Sequence, residues 1–460
     1  MKIIIPLAIT AFLAVGCSEK TSDEHTQEQT VLKTIANIHT NKSCKMAFSQ
    51  TQKLNNKQED IQMLGKSFFT IPWVEAPAAT TARDGLGPLF SANTCIHCHP
   101  YNGAGVPTDS DGKISRSLVM RLSIKAEKNI NNDLMLRDGF IPEPTYGGQL
   151  SVNGTSDTPY EGVVDVTYST ILGKYDDGSS YQLQNPHYTI SNLQYGNFAK
   201  NTNIAPHIGL ALVGLGALEM IDEKTILAKE DIEDKNKDGI SGKANWVYNP
   251  ETNATELGRF TWKAASPSVK VQSANAAHND MGLSNPLYPQ HNCTDKQEEC
   301  QKAIQGRYDF DLPMQRLDAI TFYLKSLKIP SQRKTANFEK GKEIFNDLGC
   351  VKCHTPSYDI SDGNKIHPYS DLLLHDMGDA LSDGHTMFKA DANEFRTPPL
   401  WGLGLYEKVS GNTALLHDGR ARSIEEAILW HGGEAEKQKE SFKALSKEKR
   451  DFLVEFIKGI

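Results

Sequence analysis

Three features of the chain predict a mainly α-helical fold. They are two C-x-x-C-H motifs (Cys95 to His99 and Cys350 to His354), a helix-patterned run into the second, and a strand-patterned stretch between them. The fold expected is two cytochrome c-like haem domains, the first enlarged by a β-containing insertion. Chemistry dictates the motif spacing. Two thiols add across the two vinyl groups of a haem, and the adjoining histidine is carried beneath the iron as its proximal ligand. Paired zinc half-sites would need four converging ligands, and a thioredoxin-like C-x-x-C needs no trailing histidine. Two covalently attached c-type haems are therefore expected, one on Cys95, Cys98 and His99, the other on Cys350, Cys353 and His354. His99 and His354 would bind the irons.

At 460 residues the chain exceeds one ordinary domain. A hydrophobic content of 38% with 23% charged residues describes a globular, soluble body. The formal net charge of −8 argues against nucleic acid and offers no basic face to anionic lipid. Met1-Lys2, an apolar run from Ile3 to Val15 broken by Thr10, and small residues before Cys17 read as an export signal over 1–16. The run is short for a bilayer span. Its terminal cysteine makes it similar to a bacterial lipoprotein signal with Cys17 lipidated, although Ala14 stands where leucine is commoner. A plain secretory signal with an incidental cysteine is the alternative. Ser18 after the cysteine is the pattern of outer-membrane sorting, and export to the periplasm suits haem attachment, which in bacteria happens outside the cytoplasm.

Residues 17–64 read as a lipid-anchored tether followed by a weakly helical, peripheral segment. The first haem domain is expected over 65–335. Within it, Val163 to Tyr168 alternates as a strand and Tyr181 to Tyr195 is β-leaning. Asp234, Asn236 and Asp238 open like a calcium loop, but Asn245 stands where the bidentate glutamate belongs, so an Asx-rich turn is as good a reading. Cys293 and Cys300 flank a short polar loop and are expected to pair in an oxidising compartment. Cys44 is then left over, either free or intermolecular. A helix over Pro313 to Leu327 breaks before Pro330. Lys340 to Phe345 then leads into Cys350 and opens the second domain, 336–460, which should close with one amphipathic helix from Phe442 to Ile457.

Several stretches resemble a known family: Arg83 to Phe90, Trp262-Lys263 leading to Asn279-Asp280-Met281-Gly282, His367 to Gly378, Arg396 to Gly404, and Leu416 to Gly433. Together they are similar to the bacterial di-haem oxidoreductases often labelled thiol oxidoreductases, distant relatives of the di-haem cytochrome c peroxidases. The resemblance runs from about residue 65 to the end. It implies that His431, fourteen residues after His417, is the distal ligand of the second haem, with Met377 and His375 as rivals. It implies that Glu219 is an acid/base carboxylate able to move a proton during O–O cleavage. For the first haem no distal partner is clear, and Met120, His187, His207 and His278 are available. Trp262 and Trp401 are either an electron bridge or core residues.

The function expected is a di-haem oxidoreductase, with the first haem facing a small, peroxide-like substrate and the second exchanging electrons with a redox partner protein. A non-enzymatic electron-transfer lipoprotein, accessory to extracytoplasmic iron handling, is the alternative. Thiol oxidation has no dedicated cysteine pair once the haem cysteines are removed.

Overall fold

The computed structural model describes residues 45–125 and 132–460. The export signal, the lipidation site Cys17 and Cys44 lie outside the described residues. No helix among the described residues is long and apolar enough to cross a membrane.

The expectation of a mainly α chain is corrected to a mixed one, 32% helical and 21% strand. The strands come from the middle of the chain and from loop-to-loop pairing. Helix α1, Asn56–Thr70, begins at a capping box in which Asn55 accepts from the Gln58 amide and the Gln58 side chain accepts from the Asn55 amide, each at 3.0 Å. Its buried Phe68 and Phe69 face inward. The first cysteine motif forms a single turn, α2, Cys95–Cys98. Strand β1, Leu118–Ile124, pairs antiparallel with a later strand described below. The alternating stretch becomes a long hairpin of β2, Val163–Lys174, and β3, Ser180–Ser191, in register from Val163↔Ser191 to Lys174↔Ser180. Strand β4, Thr202–Ile208, is the partner of β1, with Val119 opposite His207 and Arg121 opposite Ala205.

A one-turn helix, α3, spans Leu215–Glu219, and Ser268 caps α4, Val269–Met281. The expected helix after Pro313 is α5, Met314–Ser326. It packs against α1 so closely that a methyl added at Gly65 would fall onto the Ala319 carbonyl. The helix into the second cysteine motif is α6, Phe338–Asp347. Two short strands, β5, Leu374–Asp376, and β6, Glu394–Arg396, pair antiparallel, and α7, Ile424–Trp430, follows. The single closing helix expected over Phe442 to Ile457 is instead two. Helix α8, Glu436–Lys443, ends, and Ser446 caps α9, Lys447–Gly459. Serine accepts from the Lys449 amide, and this local bond starts a new helix where periodicity alone would continue the old one. Phe456 of α9 meets Phe338 and Phe345 of α6 at 4.9 and 5.3 Å between ring centres.

One core cluster runs from Ala47 to Ile460 across both expected haem domains. The hairpin also reaches into the second half. Beyond β2, the Tyr175 hydroxyl donates to Glu425 at 2.7 Å, and Arg450 of α9 pairs with Asp177 at 2.8 Å while lying 3.7 Å from the Tyr175 ring centre.

Cys293 and Cys300 are joined by a disulfide. Gln297, within that loop, donates to the buried carboxylate of Glu161 at 2.5 Å. Burial pushes Glu161 up to about 8 against the bonds from Ser151 and Gln297. Between the ordinary carboxylate value and about 8, the folded chain binds a proton there that the unfolded chain does not, so stability falls as pH rises through this window. Glu161→Gln, which stays neutral, is expected to flatten that fall. Calorimetric Tm values at pH 5 and pH 8 should differ less in the variant than in the wild type, and an equal difference would refute the assignment.

Candidate functional site

The first cysteine motif is pinned from both sides. Thr94 Oγ1 donates to the Phe69 carbonyl of α1 at 2.9 Å, and Cys98 Sγ donates to the Arg116 carbonyl at 3.0 Å. His99 Nδ1 donates to the Leu210 carbonyl at 2.8 Å, which leaves Nε2 as the nitrogen available to a metal. Gly209 permits this approach, because a Cβ there would sit 2.8 Å from His99 Cε1. The second motif repeats the design. His354 Nδ1 donates to the Tyr369 carbonyl at 2.9 Å. Burial lowers both histidines to about 4, so each is a neutral imidazole.

Each motif opens on its own cavity. The first, of about 220 Å³, is lined by Cys95, Cys98 and His99, with Trp73, Val213, Leu218 and Phe260 among its apolar walls. The second, of about 200 Å³, is lined by Cys350, Cys353, His354 and His431, with Phe345, Leu400, Leu453 and Ile457. Residues 208–210, Trp262, Arg396, Pro398, Pro399 and Tyr406 line both, so the two cavities share a wall.

The donor chemistry fits a haem attached through thioethers. Each cavity offers two unpaired thiols and a neutral imidazole on the rim of an apolar slot. Burial pushes the Cys95 and Cys350 thiols up to about 12, so neither is a reactive thiolate at neutral pH. Among the described residues, no group of three or more His, Cys, Asp or Glu is arranged to hold a metal ion. The calcium-like loop is bonded largely within itself. Asp234 and Asn236 accept from the Asp238 amide at 2.9 Å, and Asp238 accepts from the Ile240 amide and pairs with Lys352 at 3.1 Å. The segment is an Asx-rich turn that braces the second cysteine motif.

In the second cavity, His431 stands at the end of α7 with Nδ1 donating to the Ala427 carbonyl at 2.6 Å. It is thus oriented like the two motif histidines, with Nε2 available. Met377 lines the same cavity. His375 does too, but both its nitrogens are taken, Nε2 by Asp371 at 2.8 Å and Nδ1 by Glu434 at 2.7 Å. Burial opposes its charge, yet the Asp371 carboxylate outweighs burial and holds its pKa well above the usual range. With both nitrogens bonded to carboxylates, His375 is less suited to a metal than His431.

In the first cavity, His207 lines the wall, with Nε2 donating to Asp383 at 2.8 Å. The other candidates lie elsewhere. His187 is on the hairpin bonded to Ser169, His278 stacks on Tyr288, and Met120 is buried in a separate core cluster. Met281 reaches the cavity, with its sulfur 4.0 Å from Cys95 Sγ, beside the attachment cysteine. Trp262 lines both cavities and donates from Nε1 to the Ile208 carbonyl at 2.8 Å, whereas Trp401 lines only the first.

Glu219 is not brought to either cavity lining. At the end of α3, it pairs with Lys325 at 2.5 Å and accepts from the Val269 amide at the start of α4. Glu219→Gln is expected to leave the visible spectra unchanged and to cost about 1 kcal/mol or less, as for other half-exposed pairs. Loss of substrate turnover at full haem content would return the acid/base role to it.

Sequence reasoning missed Arg121 and Asp280, two charged side chains lining the first cavity. Burial lowers Arg121 and raises Asp280, and each partly offsets the other. The signal was an arginine inside the mostly apolar strand Leu118 to Ile124. Also missed was a buried ion pair between the cavities, where Lys263 Nζ lies 3.0 Å from Asp383 Oδ1, both almost wholly inaccessible. The same ammonium is 3.9 Å from the ring centre of Phe395, which stacks on His417 at 4.4 Å.

A family model described as "Di-haem oxidoreductase, putative peroxidase" matches residues 30–460. No curated protein matches the chain. Among solved structures, the hydrazine synthase of Kuenenia stuttgartiensis, pressurised with xenon, is similar at 16% identity with a TM-score of 0.24. The match covers 59% of this chain and 99% of that one.

Proposed function

This chain belongs to the di-haem oxidoreductase family, and from that membership we propose a c-type enzyme whose two cavities divide the work. The first handles a small, peroxide-like oxidant and the second passes electrons to it. The observation that supports this division is the difference between the cavities. The second presents two histidines with Nδ1 held by a carbonyl, His354 and His431, beside His375, His417 and Arg396 in a mostly apolar lining. The first presents one such histidine, His99, and adds Arg121, His207 and Asp280.

Haem iron bound in these slots would supply one-electron transfer and O–O activation. The protein groups do the rest. Arg121 offers a cation to negative charge developing on the substrate. His207, with its Nε2 proton directed at Asp383, keeps Nδ1 as a proton acceptor. Burial lowers the pKa of His207, so that acceptor is present at neutral pH. Trp262 provides an aromatic side chain common to both walls. Electrons would come from a redox partner protein, and a lipid on Cys17 would hold the enzyme at the outer membrane, facing the periplasm.

Low-temperature EPR of the purified, oxidised protein tests the division. The expected result is one high-spin and one low-spin ferric haem, with both haems retained on the chain after denaturation. Two low-spin haems, with no high-spin species on partial reduction, would leave an electron carrier and sink the substrate site.

A further inference from the structure

Arg396 is a buried cation that forms no ion pair among the described residues. It ends strand β6, is 4% exposed and, among the described residues, is the one charged side chain that lines both cavities. Its guanidinium bonds go to backbone carbonyls, from Nε to Thr261 at 2.7 Å and from Nη1 to Thr397 at 3.2 Å. The acidic group that acts on it is Asp371, whose carboxylate is already bonded to His375. Other buried cations here are treated differently. Lys263 meets Asp383 at 3.0 Å, Arg420 meets Asp418 at 2.8 Å and Arg450 meets Asp177 at 2.8 Å. An unpaired charge in an apolar wall is strongly unfavourable, and burial lowers Arg396 only to about 10, so it stays charged at neutral pH. A guanidinium has five donors in a fixed fork, suited to two acceptors at once.

We propose that Arg396 is the shared counter-ion for the carboxylates of the groups bound in both cavities, so that one side chain positions both haems and raises both reduction potentials. The inference rests on the di-haem reading above. It makes Arg396 a positioning residue, held by Thr261 and Thr397 from the protein side and completed by ligand from the cavity side. A cation next to a redox centre stabilises the reduced state, because reduction adds negative charge. One cation serving two centres therefore ties their potentials together.

The test is spectroelectrochemical titration of both haems in the loaded wild type, Arg396→Gln and Arg396→Lys. The expected result is that Arg396→Gln lowers both midpoint potentials, and that Arg396→Lys, which keeps the charge but loses the fork, lowers both by less. A shift confined to one haem, or none at either, overturns the proposal. If the glutamine variant does not accumulate as folded protein, the lysine variant decides on the same criterion, since it too must move both potentials or neither claim stands. Failure of the underlying reading is distinguishable. A wild type carrying fewer than two covalent haems would show in its haem-to-protein ratio and mass before any potential is measured.

Discussion

Replacing His431 with alanine is expected to abolish the low-spin ferric signal of the second haem and leave two high-spin centres. The reasoning starts from orientation. His431 is the third histidine of the site whose Nδ1 is committed to a backbone carbonyl, and the two others belong to the cysteine motifs. Such a bond fixes the tautomer and leaves Nε2 as the nitrogen that can bind iron. Alanine leaves an open position that the committed nitrogens of His375 are ill suited to fill. Electron delivery to the first cavity should fall by about tenfold or more, in line with losses at metal-supporting residues. His431→Met is the control. It should stay low spin but with a higher potential, because methionine ligation raises potential relative to a second histidine. Persistence of an unaltered low-spin signal in His431→Ala would transfer the role to Met377, which lines the same cavity.

The largest effect on stability is expected from Asp383→Asn. Asp383 is an anion with two cationic or donor partners, His207 Nε2 at 2.8 Å and Lys263 Nζ at 3.0 Å. Burial opposes its charge, but those partners hold its carboxyl well below the ordinary range. Asparagine keeps the shape and removes the charge, leaving the Lys263 ammonium buried among the carbonyls of Asp391 and Ala392 and the Phe395 ring. Breaking such a pair from one side costs about 3–5 kcal/mol, far more than the pair contributes relative to an apolar isostere. Chemical denaturation of the loaded protein would read this directly. The double variant Lys263→Met with Asp383→Leu should recover much of the loss, and strict additivity of the two single costs would show that the residues act separately.

The cysteine motifs were legible because a C-x-x-C-H spacing is a property of the local sequence, which packing cannot move. The helix into Cys350 was legible because its period matches one buried face, Phe338, Gly341 and Phe345, and the hairpin over 163–191 because β-branched and aromatic residues crowd its strands. The closing helix was misread because Phe442, Leu445, Phe452 and Phe456 keep a helical period across a break that Ser446 imposes by capping. The local sequence around Glu219 carries no information about which side of α3 meets the cavity. Its ion pair with Lys325, 106 positions away by number, exists only in the folded chain. Arg396, Lys263 and Asp383 were hidden for the opposite reason. A lone charge in a sequence reads as surface, and only the tertiary structure shows that these three are buried.

The hairpin has a consequence for how the chain is completed. Asp177, just past strand β2, finds its partner Arg450 on the final helix, 273 residues later. Leu453 and Ile457 of that same helix wall the second cavity. Contacts so distant in the chain form late, since the loop between them must close first. Order of synthesis therefore becomes order of closure. The Cys350 and Cys353 thiols are made well before the helix that walls their slot, so a newly made chain keeps a door open on that side until Lys447–Gly459 has been made.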